Sequence, residues 1–263
     1  MYILALDTTA KTVSVCISKE ENGVVLPCVR RTSNCGFTHS ETLLPMISDC
    51  LSDAQISIDN IDVLAVSQGP GSFTGVRIGV SCIKGLSFAL ESKGIPHKCI
   101  GVSSLEALAQ NAISYSGYII CPVMDARRSQ FYNALFKAGR NGKLKRLSED
   151  SLPTAKELYS ELSEKYANKK ILLVGDGALL CRKLFNAIAE EHGDCAFTYK
   201  VCDYAHMYQD AYSVCAIAMQ HIKESVSSAK DLSPTYLRAS QAERERLEKE
   251  NKRKEIEEKD IKI

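Results

Sequence analysis

Ser67-Gln-Gly-Pro-Gly-Ser72-Phe-Thr-Gly75-Val-Arg-Ile-Gly79 joins a short apolar strand to a long periodic helix. Ile61 to Ser67 reads as a buried strand, and Phe73 to Leu90 resumes helical periodicity. Between them, Pro70-Gly71 suits the middle of a type II turn, because proline presets the first angle and glycine accepts the positive one. Ser72 is a natural helix N-cap. A phosphate-cradling P-loop needs a lysine after its second glycine; here Val76 stands in that place and the glycine spacing is off by one. Tight-turn geometry therefore outranks phosphate binding, although free backbone donors at a helix start can hold an anion. On the helix, Gly75, Gly79, Cys82 and Gly85 recur at three- and four-residue spacing, a smooth stripe along which another helix can approach.

Upstream, Tyr2 to Leu6 and Val13 to Ser18 read as a hairpin turning at Asp7 to Thr12, with a third strand over Val24 to Arg31. Thr38-His39-Ser40-Glu41 fits the capping box of a helix whose apolar positions are Leu43, Leu44, Ile47 and Leu51. Pro45 predicts a kink or a later helix start. Downstream, Ile95 to Val102 is a strand and Ser103 caps a short helix. Tyr118 to Asp125 then echoes the opening strand, ending in an acid and followed by strand character from Phe131 to Phe136. Helices near 154–166, 178–191 and 212–223 alternate with strands at 171–174 and 197–201, the pattern of an α/β unit. The reading is two lobes, residues 1–102 and 103–240, with the helix at 212–224 a candidate to pack back on the first. Residues 241–263 form a charged tail, helical or disordered.

The 33 lysines and arginines nearly cancel 32 aspartates and glutamates, so there is no global positive field to hold a phosphate backbone unaided. The first residues lack the length and basic flank of a signal peptide, and no apolar run approaches the ~20 residues of a membrane span. A cytoplasmic location is expected. The eleven cysteines are scattered without a C-x-x-C pair and read as free thiols.

His39 is alone on its helix, and the other four histidines fall in unrelated segments, so paired metal ligands are not in evidence. No Gly-x-Ser-x-Gly elbow supports a serine hydrolase. Asp7 and Asp125, each at a strand end, are placed as magnesium ligands of a phosphotransferase would be, but strand-end aspartates also make turns. Gly175-Asp176-Gly177 is weakly like an adenosine-binding glycine signature. These residues leave a structural protein, a nucleotide hydrolase and a metallopeptidase as readings.

Ile3-Leu-Ala-Leu-Asp7-Thr-Thr, His39-Ser-Glu-Thr-Leu-Leu-Pro45, the 67–79 segment, Met124-Asp-Ala-Arg127, Pro234-Thr-Tyr236-Leu-Arg238 and Ala242-Glu-Arg244 together resemble the TsaB (YeaZ) family in order and spacing, over about residues 1–244. That resemblance implies an α/β fold of two RNase H-like lobes of the actin, Hsp70 and sugar-kinase (ASKHA) type. It implies a non-catalytic scaffold subunit of the complex that forms N6-threonylcarbamoyladenosine at position 37 of tRNAs reading codons beginning with A. The implied partners are the catalytic TsaD, bound through the first two helices, and TsaE, with tRNA met only within the complex. The same helices are open to homodimer formation. The expected interface comprises His39, Leu43, Leu44, Ile47, Phe73, Thr74, Arg77, Ile78, Gly79 and Cys82. No catalytic, metal or tightly bound cofactor residues are expected; a nucleotide at the interface with TsaD is left open. The alternative is a weak nucleotide-hydrolysing protein of the same fold.

Overall fold

The computed structural model describes residues 1–36, 39–139, 143–192 and 195–238. The expected capping-box residue Thr38, the 242–244 motif and the charged tail lie outside the described residues. Strand β1 (Tyr2–Asp7) pairs antiparallel with β2 (Val13–Glu21), Asp7 facing Ser14, and β2 pairs antiparallel with β3 (Val24–Ser33). On its other side β1 runs parallel to β4 (Val63–Ser67), and β4 parallel to β5 (Lys98–Val102), giving the order β3-β2-β1-β4-β5. Every residue of β4 is buried, as expected of a central parallel strand covered on both faces. Pro27 sits in the edge strand β3 beside a register shift, where its missing N–H does little harm to the ladder.

The second sheet repeats this plan. Strand β6 (Tyr118–Asp125) and β7 (Phe131–Asn133) form a hairpin, followed by β8 (Phe136–Ala138) and β9 (Leu144–Arg146). With β10 (Lys170–Val174) and β11 (Thr198–Val201), the order is β11-β10-β6-β8-β9. The β6/β10 and β10/β11 pairs are parallel and the β6/β8 and β8/β9 pairs antiparallel, the same polarity sequence as in the first sheet. The strand expected over 131–136 is broken at Ala134-Leu135, because Leu135 donates its N–H to the Ser148 hydroxyl (2.8 Å) instead of to the sheet.

Helices α1 (His39–Asp53) and α2 (Phe73–Ser92) cover the outer face of the first sheet. Leu43, Ile47 and Cys50 from α1 and Val76, Val80 and Ile83 from α2 pack there on Leu4, Leu6, Val15 and Leu64. The sheet's inner face is covered by α7 (Ala211–Gln220), whose Val214, Cys215 and Ile217 meet Ile3, Ala5 and Ala65. Helix α3 (Ser104–Gln110) packs beside α7 and turns Leu105 and Leu108 to the second sheet. The outer face of that sheet carries α4 (Ala155–Lys165) and α5 (Ala178–His192), where Phe185, Tyr159 and Phe197 form an aromatic cluster. Each fully buried leucine or phenylalanine contributes about 1.5–3 kcal/mol, so both lobes carry substantial cores. Helix α6 (Tyr204–Met207) is a single turn.

Several local expectations change. α1 begins before Pro45 and runs through it. Gly69 takes the positive φ of 113°, and Gly71 does not. The turn is thus not type II; Gly71 is needed because a Cβ would strike the Thr9 carbonyl. The glycine stripe is split in two, since Gly75 and Gly79 press on Thr8 whereas Gly85 faces open space. α2 has the length and composition to cross a membrane, contrary to the sequence expectation, but here seven of its residues are buried, facing the first lobe's core. All eleven cysteines are free and seven are buried.

A Gly75→Ala substitution places a methyl group on the Thr8 carbonyl. It should lower unfolding free energy by about 3 kcal/mol or more, while Gly85→Ala should be neutral or slightly stabilising. Urea denaturation of the two variants checks this.

Candidate functional site

The turn between β1 and β2 and the start of α2 are bound to each other. Ser72 donates its N–H to the Thr9 carbonyl (2.7 Å), and the Thr8 hydroxyl donates to the Gly75 carbonyl (2.7 Å). Ser72 also caps α2, its hydroxyl accepting from the Gly75 N–H at 3.3 Å. Asp7 is 1% exposed. Its carboxylate accepts from the Ser67 hydroxyl (2.6 Å) and from the N–H and hydroxyl of Thr9 (2.9 and 2.8 Å). Burial pushes its pKa up, against the pull of those three donors. The geometry favours the turn-making reading of Asp7 over magnesium binding.

Asp125 is exposed, and its Oδ1 accepts the Arg127 N–H at 2.7 Å. Arg127, Arg128 and Ser129 all lie in the left-handed region, at φ of 63°, 55° and 56°. Each such residue costs on the order of 1 kcal/mol, so a run of three is held by its surroundings: Ala126 donates to Gln130, and Ala155 to Ser129. Asp176 lies beside this loop and accepts the Asp125 N–H at 3.3 Å. Burial, with a smaller contribution from the Asp125 charge, raises its pKa to about 6.

These groups line a cleft of about 750 Å³ between the lobes. One wall carries Thr9, Lys11, His39, Ser72 and Phe73, the other Asp125, Arg127, Arg128, Tyr132 and Asp176. The segment 235–238 closes one side. Thr235 donates to the Gln68 carbonyl (2.7 Å), Tyr236 stacks on Phe73 with centroids 4.6 Å apart, and Arg238 donates to the Ala126 carbonyl (2.9 Å). Arg77 lies over Phe73 at 4.0 Å and donates to the Tyr236 hydroxyl at 2.8 Å. Among the described residues, no three His, Cys, Asp or Glu side chains are grouped to hold a metal.

The expected interface set divides. Leu43 and Ile47 are 2% and 3% exposed and belong to the core. Gly79 is buried, a Cβ there meeting the Thr8 hydroxyl oxygen at 2.5 Å. His39 turns its Nε2 to the Ala10 carbonyl (2.7 Å) and lines the cleft. Leu43, Ile47 and Gly79 thus turn inward instead of to a partner, because helical spacing does not distinguish an inward from an outward face when both carry small or apolar residues, whereas His39 is half-buried and is not among these corrections. Leu44, Thr74 and Arg77 are exposed, and Phe73, Ile78 and Cys82 half-buried. Phe88, 69% exposed on α2, and Leu44, at 59% on α1, are the exposed large hydrophobic side chains of the two helices. Phe88 was missed because its place in an apolar run resembles a core position. Lys11 and Arg128 were missed because they are distant in sequence and only the fold brings them together.

Two sheets of matching strand order, each covered by helices on both faces, define two RNase H-like lobes of the actin, Hsp70 and sugar-kinase type. The structure described as a Pseudomonas aeruginosa protein with similarity to peptidase YEAZ superposes with a TM-score of 0.68 at 24% identity, over 90% of this chain and 99% of that one. A family model described as TsaD, tRNA N6-adenosine threonylcarbamoyltransferase, matches residues 26–246. The Bacillus subtilis tRNA threonylcarbamoyladenosine biosynthesis protein TsaB is 31% identical over 193 residues, 73% of this chain and 79% of that protein. The Escherichia coli protein of the same description is 36% identical over 143 residues, 54% of this chain and 58% of that one. The chain belongs to the TsaB (YeaZ) family.

Because Asp176 titrates near 6 when folded and near 3.8 when free, its ionisation opposes folding. Stability should fall as pH rises from about 4 to about 6 and stay lowered above that, by up to about 3 kcal/mol. Asp176→Asn should remove this dependence and stabilise the protein at pH 7, as read by denaturation midpoints across pH 4 to 8.

Proposed function

We propose that this protein is a non-catalytic scaffold subunit in the formation of N6-threonylcarbamoyladenosine at tRNA position 37, and that it works by holding a TsaD-type catalytic subunit. The observation that carries this reading is the solvent side of α1 and α2. It leaves Leu44 and Phe88 largely exposed to water, with Ile78 and Cys82 half-buried between smaller residues such as Ser81 and Gly85. Large exposed apolar side chains over small neighbours suit a helix-on-helix interface, in which a few buried anchors supply most of the binding energy. The partner face thus comprises Leu44, Thr74, Arg77, Ile78, Cys82 and Phe88.

The withdrawal of Asp7 from the cleft supports a supporting role over a catalytic one, since its carboxylate is already occupied by three donors. The near balance of charge over the whole chain fits a protein that meets tRNA only through its complex, in the cytoplasm, with TsaE as a further partner. A second copy of this chain is the competing occupant of the same helices.

Modification of tRNA reconstituted with the cognate TsaC, TsaD and TsaE proteins should depend on this chain. Leu44→Glu and Phe88→Glu should each weaken capture of TsaD at least a hundredfold, on the order of 3 kcal/mol, while leaving the circular dichroism spectrum unchanged. Asp125→Asn should retain full support of modification. Modification that proceeds equally without the chain, or magnesium-dependent ATP turnover by the chain alone that Asp125→Asn abolishes, would replace the scaffold reading with the hydrolase one.

A further inference from the structure

At its end away from the cleft, the second sheet carries a row of lysines. Strand β6 begins there at Tyr118, which pairs with Lys170 of β10. Its next residue, Ile119, pairs with Lys137 of β8, and Lys137 pairs in turn with Lys145 of β9. Lys200 of β11 extends the row on the other side, its ammonium 5.0 Å from the centre of the Tyr118 ring and 5.1 Å from that of Tyr115. Lys143 and Lys169 stand immediately before β9 and β10. All six are exposed, and among the described residues none makes a salt bridge. Carboxylates on adjoining segments are already engaged: Glu161 holds Lys165 at 3.0 Å, Asp150 holds Arg146 at 2.6 Å, and Asp203 accepts from the Tyr115 hydroxyl at 2.7 Å.

This arrangement works against the sheet. Lys137 and Lys145 are directly opposed on neighbouring strands, and like charges so placed destabilise a strand pair. A lysine on the edge strand β9 guards that edge against pairing with another chain, but a second one on β8 adds repulsion without adding protection. Lys170 lies on β10, which is an inner strand. In a chain of net charge +1, unpaired cations gathered at one end of one sheet are a local field that the overall balance conceals. Aromatic rings are interleaved with them, Tyr115 and Tyr118 under Lys200, and Tyr204, 69% exposed, follows Asp203 at the start of α6.

We propose that this lysine row is an RNA-backbone contact, the surface by which the protein touches tRNA once a TsaD-type subunit has brought it alongside. The choice of RNA rests on the scaffold reading; the charge pattern does not. From Lys200 on β11 to Lys145 on β9 the row crosses the whole sheet, about 19 Å at ~4.8 Å per strand. A nucleic-acid strand with one phosphate per ~3.4 Å of duplex axis offers roughly five phosphates along that length. Lysines that follow a backbone, beside rings on which unpaired bases stack, are the composition of a nucleic-acid face. The row itself carries no large apolar side chain of the kind that a membrane-surface segment inserts. A few phosphate contacts hold RNA only weakly at physiological salt, which suits a surface that acts inside an assembly.

Fluorescence anisotropy of labelled tRNA titrated with the full chain tests this without TsaD, so that its outcome is separate from that of partner capture. At 50 mM salt the chain should bind with a dissociation constant on the order of 10 μM, weakening about a hundredfold by 200 mM, the slope expected for roughly four phosphate contacts. The double variant Lys137→Gln/Lys145→Gln should bind at least about tenfold more weakly and lower the salt slope by about 2, one for each lysine. Its urea midpoint should not fall, because the substitution relieves the cross-strand repulsion. Lys170→Gln should weaken binding about threefold or more, and Lys156→Gln at the other end of the lobe should not. Absence of tRNA binding at 50 mM salt, unchanged affinity in both row variants, or equal loss in Lys156→Gln overturns the proposal. So does tighter binding of polyglutamate or of phosphatidylserine vesicles than of tRNA, which would assign the face to an acidic protein segment or to a membrane surface.

Discussion

The architecture depends on how closely α2 can approach the turn between β1 and β2. At Gly71, Gly75 and Gly79 any side chain would enter Thr9 or Thr8, and the space so freed is filled by hydrogen bonds from Ser72 to Thr9 and from Thr8 to Gly75. Asp7 completes the junction from below, its buried carboxylate joining Thr9 to Ser67 at the end of β4. A buried carboxylate is tolerable only when its lone pairs are used, and here three donors use them. The junction therefore fixes the turn, the strand end and the helix start as one rigid piece.

From that piece two surfaces follow. The helix start faces the second lobe and forms one wall of the cleft, while the far side of the same helix is left to solvent with Phe88 exposed. The segment 232–238 reinforces the arrangement: Thr235 pairs with Gln68, Tyr236 stacks on Phe73 under Arg77, and Arg238 reaches across to Ala126 in the second lobe. One short stretch of chain thus links both lobes beside the start of α2.

The second lobe shows how far a repeated plan can be adapted. Strand β6 copies β1, but its hairpin is bent by the left-handed turn at 127–129 and its partner strand is broken at Ala134-Leu135. These departures place two arginines and Asp125 at the cleft instead of the sealed junction found at Asp7. The matching aspartates consequently have opposite environments, one buried among donors and one exposed at the mouth of a cavity.

Much of this is written in local sequence. The strand character of Tyr2 to Leu6, the cap at Ser72, the helical period from Phe73 and the echo of Asp7 in Asp125 are set by nearest neighbours, because capping, alternation and turn chemistry act over a few residues. The resemblance over 67–79 carried the family for the same reason. Tertiary structure alone decided which face of each helix turns inward. Leu43 and Leu44 are adjacent and chemically identical, yet one is 2% and the other 59% exposed, because a helix rotates successive residues by about 100° and only the packed sheet selects the buried side. It also decided that Lys11, Arg128 and Asp176 share one cavity, since charges brought together by folding leave no periodicity along the chain to announce them.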